Sequence, residues 1–265
     1  MLAIAVLVAV ATGVRAQSTW RDIDGEPLPF DETELIDFLA HAEVVDERPI
    51  GTGINQSVRL TLSRDGVTAH AIFREAEVRK RGATIEGVTY PFFADSYKFE
   101  CAAYALARLL DIPNVPPVTL RRVGRRDGSA QIWLEDALDE DSDGFKPPRP
   151  RQWVQQIWDM VLFDNLIYNI DRNSGNVLVD TDYRLWMIDH TRAFQFKHEL
   201  LDDRVARVRR SSWENLLKLD EDTLRDAVRG YLTPMEIGSI RERRERLIAL
   251  IEGLVAARGE SAVFY

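Results

Sequence analysis

Asp171, Asn176 and Asp189 are the residues of this chain whose types and spacing best suit chemistry. Asp171 and Asn176 lie in the polar loop Asn169-Ile170-Asp171-Arg172-Asn173-Ser174-Gly175-Asn176, and Asp189 closes the stretch "VLVDTDYRLWMID" that follows. Phosphoryl transfer from ATP needs such a kit. One carboxylate orients or deprotonates the attacking hydroxyl, while a second carboxylate and an amide oxygen hold Mg²⁺ on the phosphates. Kinase catalytic loops space their base and their metal-binding Asn as D-x-x-x-x-N, the spacing of Asp171 and Asn176. Alone, that spacing also describes an Asx-rich turn whose side chains bond their own backbone. Helix, polar loop, two short strands and then Asp make a much narrower pattern.

The flanking elements follow from periodicity. Arg151 to Tyr168 reads as a helix, and Val177 to Val179 and Arg184 to Ile188 as short strands joined by Asp180-Thr181-Asp182. Asp31 to Ala42 is helical in pattern. A strand then leads into Gly51-Thr52-Gly53, followed by two alternating runs joined by Asp65-Gly66, a hairpin signal. Asp95 to Leu110 reads as a helix capped by Asp95 or Ser96, with Phe99, Ala103, Leu106 and Leu110 on one face. Val115 to Val123 and Ala130 to Leu134 read as strands around Arg125-Arg126-Asp127-Gly128. Trp213 to Lys218, Asp220 to Tyr231 and Pro234 to Ala257 complete a helical second half.

Strands followed by helices predict an α+β chain in two lobes, a small β-rich N-lobe and a helical C-lobe; joined to the loop spacing above, this is the expectation of a bilobal, protein-kinase-like fold. The expected division is a leader at 1–16, an N-lobe at 17–134, an acidic, proline-containing hinge at 135–150, and a C-lobe at 151–265. The first half offers further parts of a kinase site. Gly51 and Gly53 suit a turn over phosphates. "AIFR" stands in the place of V-A-I-K, with Ile72 and Arg74 on one strand face. Glu100 opens the following helix within reach of Arg74. Trp133, beside the hinge, borders the expected adenine pocket.

"NIDRNSGNVLV…MIDHTRAF" resembles the catalytic segment of the type II phosphatidylinositol 4-kinases, which carry N-x-D-R-x-x-x-N-W-L-I and I-D-N-G-x-A-F. It is also similar to four-jointed-type secretory kinases and, more distantly, to HipA-like kinases. "VPPVTL" resembles their V-P-P-T segment. The Asp-Arg order points to this atypical branch of the phosphatidylinositol 3-/4-kinase-like superfamily. The resemblance implies that Asp171 is the catalytic base, that Asn176 and Asp189 are metal ligands, and that ATP and Mg²⁺ are used. Two departures stand out. Arg74 replaces the family's Lys, which is not conservative at a phosphate clamp. His190-Thr191 replaces Asn-Gly; His190 either touches phosphate or metal, or packs under the loop.

Composition bounds the rest. A net charge of −9 over 265 residues excludes broad non-specific nucleic-acid binding. The lone Cys101 permits no internal disulfide and reads as a small core residue. "MLAIAVLVAVAT" followed by "VRA" reads as a secretory signal cleaved after Ala16; with it the protein is periplasmic, secreted or membrane-anchored, and without it cytoplasmic. There is no Walker A motif, G-x-S-x-G elbow or H-E-x-x-H helix. The basic runs "RVARVRRSS" and "RERRERLIAL" read mainly as solvated helix faces. Three functions stay open: a kinase acting on a hydroxyl-bearing protein or lipid, a pseudokinase that binds nucleotide or a partner, and an AMP transferase on the same fold. Oligomeric state has no sequence signal.

Overall fold

The computed structural model describes residues 19–51, 57–85, 87–139, 151–202 and 204–265. The expected leader, Gly53 and most of the expected hinge lie outside these residues. Helix α1 (Glu32–His41) begins at a reciprocal cap. The Asp31 carboxylate accepts the Glu34 N–H at 2.9 Å, and the Glu34 carboxylate accepts the Asp31 N–H at 2.8 Å. Leu35, Phe38 and Leu39 form its buried face.

Strands β1 (Glu43–Pro49), β2 (Val58–Arg64) and β3 (Val67–Arg74) follow. Asp65 and Gly66 join β2 to β3 with φ of 51° and 80°, the positive values that a tight hairpin turn needs. Next come β4 (Glu77–Ile85), β5 (Val88–Ser96), helix α2 (Lys98–Leu109), β6 (Val118–Val123), β7 (Arg126–Ile132) and the short β8 (Leu138–Asp139). The main sheet has the order β1-β2-β3-β7-β6, and each neighbouring pair is antiparallel. Alternation sends Ala69, Ala71 and Phe73 of β3 into a core under α1. His70, Ile72 and Arg74 take the opposite face, where Ile72 pairs with Gln131 and Arg74 with Ser129.

The second half consists of α3 (Arg151–Ile167), a 3₁₀ turn (Ser174–Asn176), β9 (Val177–Val179), β10 (Leu185–Met187), α4 (Arg210–Lys218), α5 (Glu221–Ala227), α6 (Pro234–Arg258) and α7 (Glu260–Val263). Strands β10, β9 and β8 make a small sheet beside the catalytic loop. The chain is thus α+β, with a β-rich first part and a helical second part. Its largest core crosses that division: Phe99, Ala102, Ala103 and Leu106 of α2 pack in one cluster with Leu162, Phe163, Leu166, Phe194 and the C-terminal helices.

The structure departs from the expected elements in places. The β6–β7 turn falls at Gly124-Arg125, with Gly124 at φ 59°, not at Arg125–Gly128. Gly128 lies inside β7 for another reason: a Cβ there would come within 2.5 Å of the Phe73 ring. Helix α2 begins at Lys98; Tyr97 at the N-cap position gives no side-chain cap, and of the two expected caps Ser96 accepts the Lys98 N–H at 3.3 Å. Asp95 and Ser96 also end β5, pairing with Val78 and Glu77, and the Ser96 hydroxyl donates to Glu77 at 2.6 Å. The hairpin β4–β5 itself was not anticipated. Its first strand is exposed along most of its length and shows no apolar alternation.

Candidate active site

The candidate catalytic loop leaves α3 through a left-handed residue, Tyr168, at φ 51°. Asn169 ties the loop to the helix by donating to Asp164 at 3.2 Å and accepting the Asp171 N–H at 3.2 Å. Asn173 makes the local Asx turn that the sequence allows, accepting the Gly175 N–H at 3.0 Å. Asp171 does not spend its carboxylate that way. Its oxygens meet Arg192 at 3.4 Å and the Asn173 amide at 3.3 Å. Burial pushes the Asp171 pKa above the usual carboxylate value, with Asp189 and Asp95 reinforcing the rise and Arg192 opposing it. A raised pKa suits a carboxylate that receives a proton from a hydroxyl.

Asn176 donates its amide N–H to the Asp171 carbonyl at 2.8 Å. That contact leaves the amide oxygen as its acceptor. Asp189 ends the β9–β10 hairpin at φ 53°, a left-handed conformation that Asp tolerates better than most residues. Its Oδ1 accepts the Thr191 hydroxyl at 2.9 Å, and its Oδ2 lies 3.9 Å from Arg74 Nε. Asn176 and Asp189 fit Mg²⁺, a hard cation that takes one or two protein carboxylates and completes its shell with water and substrate phosphate. Among the described residues, no group of three His, Cys, Asp or Glu side chains could hold a metal ion. Such a protein cage is not what Mg²⁺ in a phosphoryl-transfer site requires.

Arg74, from the end of β3, is 3% exposed. Its Nε lies 3.5 Å from Glu100 of α2, and its Nη1 donates to Gln131 of β7 at 3.4 Å. Nε makes no hydrogen bond of good geometry, so a buried donor sits between Glu100 and Asp189. Glu100 is fully buried. Burial raises its pKa, but the Arg74 charge and two His190 N–H donors outweigh burial and hold it below the usual range. The sequence-predicted cation, helix carboxylate and strand-end carboxylate are therefore brought together.

Other expected residues stand apart. Gly51 lies just beyond β1 in open space, and a Cβ there would meet nothing within 4 Å. Trp133 follows β7 and donates its N–H to the His70 carbonyl at 3.0 Å. The Arg59 guanidinium lies 5.6 Å from its ring centre. Trp133 lines a cavity of about 270 Å³ together with Trp20, Glu135, Asp180 and Asp182, not with Arg74 or Asp189.

Sequence reasoning missed three residues. Arg192 bridges Asp171 and Asp95, the latter at 3.0 Å. Gln131 holds Arg74. Arg172 donates to both oxygens of Asp164 at 2.9 and 3.1 Å, to the carbonyls of Asn176 and Ile188 at 2.7 and 2.9 Å, and to His190 at 2.9 Å. The Asp-Arg pair in the loop was the available signal for Arg172. His190 is fully buried, which agrees with packing beneath the loop.

The arrangement is that of an atypical kinase-like fold, and comparison with solved structures bears on the same point. A structure described as hydra Fam20 with sugar matches 90% of this chain and 93% of its own, with a TM-score of 0.68 and 15% identity. The Golgi casein kinase matches 89% of this chain and 79% of its own, with a TM-score of 0.64 and 14% identity; the same kinase with Mn/ADP bound gives 0.63. Among curated sequences, protein Rv2133c of Mycobacterium tuberculosis is 25% identical over 191 residues, 56% of this chain and 67% of the relative. No family model matches. These likenesses establish the kinase-like fold. Membership of the phosphatidylinositol 3-/4-kinase-like branch rests on the motif resemblance alone.

Proposed function

We propose that the protein is an ATP-dependent phosphotransferase that moves the γ-phosphoryl group to a hydroxyl of a protein or lipid. One observation carries this reading: the buried Arg74–Glu100 pair ends 3.9 Å from Asp189. That proximity supports a phosphate-binding role for Arg74 beside a metal-binding role for Asp189, the pairing the chemistry requires. Arg74 binds the α- and β-phosphates. Asn176 and Asp189 would hold Mg²⁺, which would supply charge neutralisation on the phosphates. Asp171 orients the acceptor hydroxyl and takes its proton, and Arg192 keeps that carboxylate in place. The Mn/ADP complex of the Golgi casein kinase supports the pairing of nucleotide with a divalent cation on this fold.

A second reading is favoured by Arg74 itself. A planar guanidinium buried where the resembled family has a flexible Lys gives a pseudokinase that binds nucleotide without turnover. Steady-state ATP consumption with Mg²⁺, beside a thermal-shift titration, separates the two. The kinase reading expects turnover that Asp171→Ala abolishes. Binding without turnover in the unaltered protein selects the pseudokinase, and neither binding nor turnover defeats both.

A further inference from the structure

We propose that His190 is a positioning residue that fixes Glu100, and through it Arg74, to the catalytic loop. The inference rests on the nucleotide-binding reading of the Arg74–Asp189 site. The side chains form a continuous chain of contacts from Asp164 of α3 through the partly buried Arg172, His190 and Glu100 to Arg74 of β3. His190 and Glu100 are both 0% exposed, so no water competes for these contacts.

The chemistry of the chain assigns each proton. A guanidinium has donors only, so His190 Nε2, 2.9 Å from Arg172 Nη2, accepts. The ring proton therefore resides on Nδ1, which faces Glu100 Oε2 at 3.4 Å. The His190 backbone N–H supplies a second donor, to Glu100 Oε1 at 3.1 Å. One residue thus grips both oxygens of the carboxylate that faces Arg74, and it is the neighbour of Asp189. Arg172 sets the tautomer while also holding the carbonyls of Asn176 and Ile188. Arg74 and the residues Asn176 and Asp189 consequently share one support, hydrogen-bonded as far as Glu100 and closed by its ion pair with Arg74, and a shift of the loop is transmitted to Arg74. His190 does not itself touch phosphate or metal in this arrangement.

Three substitutions test the assignment. In His190→Asn the side-chain amide nitrogen takes the place of Nδ1 and still donates to Glu100. In His190→Gln an oxygen can still accept from Arg172, but the donor to Glu100 is displaced. His190→Leu removes both. Each is measured for MgATP affinity and for turnover, alone and combined with Glu100→Gln, with thermal melts to confirm folding. The expected result is a loss of about 10- to 100-fold in turnover or MgATP affinity for His190→Leu and His190→Gln, with most of the activity retained in His190→Asn. In the Glu100→Gln background, His190→Leu should cost less than about 2-fold more, because coupled residues are non-additive.

If His190→Asn is as impaired as His190→Leu, or if the two substitutions multiply independently, the positioning role is overturned. A protein without turnover but with MgATP binding defeats the kinase reading only, because the same cycle in affinity still decides the His190 role. Absence of both defeats both. Imidazole ¹⁵N shifts give a separate readout: they should show the Nδ1–H tautomer, and an Nε2–H tautomer refutes the assignment.

Discussion

Replacing Glu100 by Gln removes the charge that faces Arg74 and keeps the side-chain shape. Breaking a buried pair by removing one partner ordinarily costs about 3–5 kcal/mol, because the remaining charge is left uncompensated. The lower end applies here. Arg74 retains Asp189 at 3.9 Å, and its contact with Glu100 at 3.5 Å is longer than a close bidentate pair. A loss of about 3 kcal/mol in a chain of this size lowers the melting temperature by roughly 6–12 °C. The sign of the pH dependence follows from the depressed pKa of Glu100. Its contribution is fully present above the unfolded-state value of 4.5 and is lost as pH falls through the lower folded-state value. Calorimetric melts of both proteins, from neutral pH down into the acid range, should show a wide gap that narrows below about pH 4.5. A variant melting within roughly 2 °C of the unaltered protein at neutral pH, or a gap that does not change with acid, refutes the idea that an ionised Glu100 stabilises the site.

Gly128→Ala should cost about 1–3 kcal/mol by overpacking, since the new Cβ meets the Phe73 ring; chemical denaturation measures it, and MgATP affinity should fall as Arg74, whose carbonyl also adjoins Gly128, is pushed aside. Burial raises the Cys101 thiol pKa far above its usual value, so a thiol reagent should leave the native protein unlabelled at neutral pH and modify this cysteine once guanidinium unfolds the chain.

Much of the site could be read from the sequence because its residues sit at turns with distinctive letters. Asp171, Asn176 and Asp189 fall on one loop and one short hairpin, where spacing and geometry are closely linked. Arg74 and Glu100 were also found, because strand alternation and helix order restrict where a buried cation can reach. The supports were harder to see. Arg172, His190 and Arg192 act across elements, joining α3, α2 and the end of β5, and no local period encodes such contacts. Hairpin β4–β5 escaped for the opposite reason: an exposed strand has no buried face to impose alternation. Gly128 was read as a turn glycine, although its role is close approach between strands. Composition alone does not separate the two uses of that residue.

The packing of α2 also bears on how the chain folds. Helix α2 lies early in the sequence, yet Phe99, Ala102, Ala103 and Leu106 complete a core supplied mainly by residues beyond Arg151. A fragment ending after Asp139 would leave that apolar face uncovered, and the remainder would lack a wall of its own core. The main sheet and α1 have a core of their own, whereas α2 depends on the second half for its cover. The early segment can bury its helix only after the C-terminal helices have been made, a long-range closure of the kind that slows folding. Expression of either half alone should yield an aggregating species, whereas the two halves produced together have a shared surface on which to reassemble.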